Sequence, residues 1–147
     1  MRSVRTVAHE LPVRLVVSHD LSVSIRAALR YDADDPYAVH AVFHTLDQSG
    51  TVEWFLSRDM LAQALSEHTG HGDVHMGPTG GSGRDAVCMV LRSPAGSALL
   101  EFPAQDVESF LRETWSAVPP GAESSRLDLD AELAQLLAEN STPSPGW

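Results

Sequence analysis

Two stretches of this chain alternate apolar and polar residues with a period of two, and only a half-buried β-strand satisfies that pattern. From Val23 to Tyr31, Val23, Ile25, Ala27, Leu29 and Tyr31 take one face, while Ser24, Arg26, Ala28 and Arg30 take the other. From Tyr37 to Thr45, Tyr37, Val39, Ala41 and Phe43 share a face opposite His40, Val42 and His44. Asp32-Ala33-Asp34-Asp35-Pro36 between them reads as a turn. A sheet with one face on a core and one on solvent is antiparallel as a rule.

The remaining elements fall around this pair. Leu11 to Val17 is rich in β-branched residues and reads as the first strand. Asp47 to Gly50 is a hairpin loop leading into a strand over Thr51 to Leu56. Ser57 can cap a helix whose stripe is Met60, Leu61, Ala64 and Leu65, stopped at Thr69-Gly70. Val74 to Met76 is a short strand, and Gly77 to Gly83 a loop. Ala86 to Leu91 is almost wholly apolar and reads as a strand buried on both faces. A turn at Ser93 to Gly96 returns it as Ala98 to Phe102. Pro103 opens a helix carrying Val107, Phe110, Leu111 and Thr114, broken by Val118-Pro119-Pro120-Gly121. Asp128 caps a last helix striped by Leu129, Leu133, Leu136 and Leu137, which needs a surface to dock on. The order predicts an α+β fold: a mainly antiparallel seven-stranded β domain with helices over residues 9–121. A linker and amphipathic helix follow over 122–140, then a Pro/Ser-rich tail over 141–147.

The candidate chemical motifs are each incomplete. His40 and His44 sit four apart on a strand, so they are ~13 Å from each other and cannot share a metal. Asp32, Asp34 and Asp35 lack the glycine at the sixth position of a calcium loop, where Tyr37 stands. Gly80-Gly81-Ser82-Gly83 lacks the lysine of a phosphate loop. Cys88 lies in an apolar run, which keeps a thiol protonated and inert. His68, His71 and His75 crowd one region without a completing acidic or thiol ligand, which reads as a solvated loop. No catalytic constellation, cofactor or metal site is expected.

Charge narrows the partners. The ten basic residues are all arginine, and the net charge is −10. That disfavours phosphate backbones and anionic lipid. A single-strand nucleic-acid reading would need Arg14, Arg26, Arg30, Arg58 and Arg92 in one groove beside exposed aromatics. An undetected hydrolase would need converging histidines and carboxylates. No apolar run suits a signal peptide or a spanning helix, so a cytoplasmic chain is expected. The favoured reading is an adaptor that binds other proteins, with Arg30, Tyr31, Tyr37 and Trp54 as candidate contacts. Leu129, Leu133, Leu136 and Leu137 are the candidate oligomerisation or docking stripe.

Several segments together resemble the SsgA-like proteins of sporulating actinomycetes. These are Leu29 to Asp32, Asp35 to Ala41 and Phe43-His44; then Val52-Glu53-Trp54 with Arg58-Asp59 and Leu61; then Thr69-Gly70, Gly72-Asp73-Val74 and Pro78. Ser93-Pro94, Gly96, Ala98 to Glu101, Pro103, Phe110-Leu111, Thr114 and Val118 to Gly121 continue the match, and Asp128 to Asp130, Glu132-Leu133 and Leu136 close it. The resemblance covers about residues 9 to 140. It implies a non-enzymatic protein of sporulation-specific cell division, which selects septum sites and recruits the division ring protein FtsZ. Other members of the family act in spore-wall assembly or spore separation. The resemblance further implies a whirly-like β-rich fold, a homotrimer, FtsZ or another family member as partner, and recruitment of a cytoplasmic protein to the septum.

Overall fold

The computed structural model describes residues 6–47, 49–79, 85–123 and 136. Among the described residues, eight strands and two helices follow the order β1 (Thr6–Ser18), β2 (Leu21–Asp32), β3 (Ala38–His44), β4 (Thr51–Ser57), α1 (Arg58–Gln63), β5 (Thr69–His71), β6 (Val74–Pro78), β7 (Ala86–Ser93), β8 (Gly96–Pro103) and α2 (Ala104–Ala117). All strands join one antiparallel sheet in the order β4-β3-β2-β1-β8-β7-β6-β5.

The two alternating stretches set the inner face. Ala27, Leu29 and Tyr31 on β2 are buried, as are Val39, Ala41 and Phe43 on β3. Their register, Ala27 opposite Phe43 and Leu29 opposite Ala41, stacks both apolar rows on one side. The sheet then curls. Phe43 on β3 and Phe102 on β8 lie three strand spacings apart, ~14 Å in a flat sheet. Their rings nevertheless meet edge-on with centroids 5.9 Å apart. The core fills this concave side, and α2 closes it with Val107, Phe110 and Leu111, all fully buried.

The strand count corrects the expected seven. Thr69-Gly70, read as a helix stop, begins β5, which pairs Thr69 with Met76 and Gly70 with His75. The helix itself ends earlier, at Gln63. Its start follows the sequence reading, since Ser57 Oγ accepts the Met60 N–H at 3.2 Å. β1 begins at Thr6, well before Leu11, because His9 is no interruption. Its ring packs edge-on against Phe110 at 5.5 Å and pairs with Glu113 on α2. β7 is not buried on both faces. Val87, Met89 and Leu91 are buried, while Ala86, Cys88 and Val90 are half-covered. The linker, the helix after Asp128 and the tail lie outside the described residues, apart from Ala122, Glu123 and Leu136.

Candidate protein-binding surface

The convex face of the sheet brings one row of side chains together. Ala8 stands opposite Arg30, Arg30 opposite His40, and His40 opposite Phe55, so the row crosses β1, β2, β3 and β4. The His40 and Phe55 rings stack with centroids 4.6 Å apart and planes 9° from parallel. Glu53 holds the imidazole from the other side, with Oε1 2.7 Å from Nε2. Phe55 is 66% exposed. A large aromatic ring held on a sheet by a stacked neighbour loses little further entropy on binding, which is what a contact anchor requires. Arg30, His40 and Phe55 border a groove of ≈ 500 Å³ with Asp32 and Asp35 at its acidic end.

A second surface opens at the mouth of the concave side. Leu15, Ile25, Phe43, Trp54, Leu91 and Leu100 surround a cavity of ≈ 430 Å³. Exposed Leu46 and Val52 lie at its rim.

The four candidate contacts therefore do not converge. Arg30 lies exposed on the convex row. Trp54 is half-buried and faces the concave mouth. Tyr37 is 48% exposed in the turn ahead of β3. Tyr31 is 2% exposed, and this corrects its reading as a surface contact. Its hydroxyl donates to the Pro36 carbonyl at 2.9 Å, and its ring lies 4.9 Å below the Arg58 guanidinium. Leu129, Leu133 and Leu137 lie outside the described residues, while Leu136 is exposed. The alternation in the sequence puts His40 on the outer sheet face, but neither His40 nor Phe55 is among the candidate contacts read from it. Parity carried the signal for Phe55: it shares a face with Thr51 and Glu53, opposite Val52, Trp54 and Leu56.

Arg58 sits at the end of α2. Its guanidinium is 1% exposed and donates to the Val118 carbonyl at 2.7 Å, the Thr114 carbonyl at 3.2 Å and Glu123 Oε2 at 2.8 Å. It thus satisfies orphan carbonyls where the helix dipole is negative. Hydrogen bonding to Arg58 is the main cause holding the Glu123 carboxyl below its ordinary pKa. This burial removes Arg58 from any nucleic-acid groove. Arg26 is bound to Glu10 at 3.0 Å, and Arg14 to Ser22.

Two histidines of the supposed loop have structural places instead. A Cβ on Gly70 would overlap the His75 ring, and one on Gly77 would overlap the His68 ring. Both imidazoles occupy the space that a side chain at the glycine would fill. Among the described residues no group of three His, Cys, Asp or Glu side chains is arranged to hold a metal. Burial, then Glu101, raises the pKa of the Cys88 thiol.

The family model described as Streptomyces sporulation and cell division protein, SsgA, matches residues 25–123. The chain belongs to the SsgA family. A sporulation-specific cell division protein SsgB from Streptomyces coelicolor is 53% identical over 135 residues, covering 92% of this chain and 98% of its own. An SsgB from Frankia casuarinae is 44% identical, over 90% of this chain and 92% of its own. A solved structure, from work on SsgB mutations that correlate to longitudinal cell division during sporulation of Streptomyces coelicolor, superposes with a TM-score of 0.79. It is 53% identical and covers 82% of this chain and 94% of its own. The crystal structure of an SsgA-like sporulation-specific cell division protein from Thermobifida fusca gives 0.81 at 35% identity, over 92% and 98% of the two chains. The SsgA-family segments up to Gly121 fall among the described residues, while Asp128 to Asp130 and Glu132-Leu133 lie outside them. The hallmark around Tyr31 and Tyr37 builds the Arg58 node and the convex row. No helix among the described residues is long and apolar enough to cross a membrane.

Proposed function

We propose that this SsgA-family chain is a non-enzymatic adaptor in sporulation-specific cell division, which helps select the septum site and recruits the ring protein FtsZ. The observation that supports it most is Phe55, an exposed aromatic anchor fixed on a sheet by His40 and Glu53. Exposed aromatics held in one orientation concentrate binding energy. The relatives named for sporulation-specific cell division supply the setting. The working form is a cytoplasmic homotrimer drawn to the septum, without a cofactor and without nucleic acid.

Imaging a fluorescent fusion at native level beside a labelled division ring tests the proposal. Regularly spaced foci at future septa, arriving before or with the ring, are the expected result. Foci only at finished septa or around maturing spores would replace the recruiter with a role in wall assembly or spore separation. A nucleoid-like or diffuse signal would overturn the adaptor reading altogether.

A further inference from the structure

Among the described residues, β4 forms one end of the sheet and pairs with β3 alone. Its other side carries a row of backbone donors and acceptors that no described strand meets. Sheet edges are ordinarily blunted by shortness, charged side chains, proline or a bulge. The opposite edge, β5, is only three residues long. β4 runs seven residues, Thr51 to Ser57, without proline, lysine or arginine, and its one charged side chain, Glu53, is bound to His40. Its register with β3 is unbroken. Val52 and Phe55 on it are exposed, and so are Leu46 and Tyr37 beside it.

We propose that β4 is a docking edge that accepts an extended strand of another protein, one alternating apolar residues with lysine or arginine. This deepens the adaptor reading and rests on it. Strand addition supplies main-chain hydrogen bonds, and alternate side chains supply selectivity. Apolar residues of the incoming strand extend the Val52 and Trp54 row or cover Phe55. Charge selects the occupant. Asp47 precedes the strand, Glu53 lies on it and Asp59 follows it. The adjoining cation, Arg58, is buried and bound to Glu123. A second copy would bring these carboxylates against their own kind on a chain of net charge −10, whereas a basic strand would neutralise them.

The test is amide hydrogen exchange on the full chain with two blocked octapeptides, (Val-Lys)4 and (Val-Glu)4. The basic peptide is expected to slow exchange of β4 amides about tenfold or more and leave β5 unchanged. The acidic peptide is expected to do nothing. Phe55→Lys should abolish the protection, while Leu21→Lys, an exposed apolar residue away from this edge, should retain it. Circular dichroism checks that the variants fold, and Val52→Lys carries the comparison if Phe55→Lys does not. No protection at β4, or equal protection by both peptides, would overturn the proposal. Protection that grows with chain concentration without peptide would assign the edge to a second copy and overturn it too. The readout is independent of cellular position, so its failure leaves the recruiter reading standing. A mislocalised fusion likewise leaves the peptide result intact.

Discussion

The guanidinium of Arg58 and the carboxylate of Glu123, 65 residues apart in sequence, meet at 2.8 Å with both side chains buried. The pair fixes the start of α1 to the chain beyond α2. Removing one partner strands a buried charge, which costs far more than the net worth of the pair. Glu123→Gln is expected to destabilise the fold by about 3 kcal/mol and Arg58→Ala by about 3–5 kcal/mol in urea unfolding. A double variant to apolar residues should lose less than the sum, because no charge is left behind. The pH dependence has a definite sign. Glu123 is depressed by its bond to Arg58, so its contribution is full above the ordinary glutamate pKa. It fades as pH falls through the depressed folded value. Wild type should therefore lose stability below about pH 4.3 more steeply than Glu123→Gln. Parallel acid titrations of the two proteins would reveal the opposite order if the assignment fails.

Gly70 and Gly77 are required by contact and not by backbone angle, since neither has a positive φ. An added methyl group must displace His75 or His68. His75 and His68 are exposed and can swing aside, so Gly70→Ala and Gly77→Ala are each expected to cost about 1 kcal/mol or less, below the range for overpacking a closed core. Shrinking the ring should relieve the clash, so Gly70→Ala with His75→Ala should be less than additive. Additive losses in thermal or urea unfolding would show that the ring is not the obstacle.

Cys88 faces the half-covered side of β7 and stands opposite Glu101 on β8. Burial chiefly, and the Glu101 carboxylate next, push the thiol pKa up. Alkylation of the folded protein near pH 8 should be several-fold slower than that of the unfolded chain. Glu101→Gln should speed it, because one of the two causes is gone. An unchanged rate in that variant would leave burial as the sole cause.

The sequence made the inner face of β2 and β3 legible because strict alternation permits one register only. Other features were hidden for physical reasons. β5 is three residues long and contains Gly70, which ordinarily ends structure, and Gly70 pairs with His75, whose ring takes the space a side chain there would fill. The outward residues of β7 are Ala86, Cys88 and Val90, small apolar groups that mimic burial on both faces. Arg58 looked like a surface cation, and only the meeting of α1 with α2 gives it three acceptors. Tyr31 followed the inward parity of its strand, yet its polar tip suggested a surface role. Its hydroxyl found the Pro36 carbonyl instead.

Asp47 organises the loop that feeds the proposed docking edge. Its Oδ1 accepts the Ser49 N–H at 3.0 Å, the Ser49 hydroxyl at 2.7 Å and the Thr45 hydroxyl at 2.7 Å. These bonds favour the ionised form and lower its pKa to about 2. A depressed carboxyl keeps its bonds above its ordinary range and loses them only as pH falls through the folded value. The loop is therefore expected to hold its order down to about pH 2. Carboxyl-detected NMR titration should place the Asp47 midpoint there. Ser49→Ala leaves the main-chain donor in place and should raise the midpoint in part, as should Thr45→Val. The Ser49 N–H is the largest cause of the shift, so the two substitutions together should still leave Asp47 below an ordinary aspartate. A midpoint that returns fully in the double variant would assign the effect to the hydroxyls and take the backbone turn out of it.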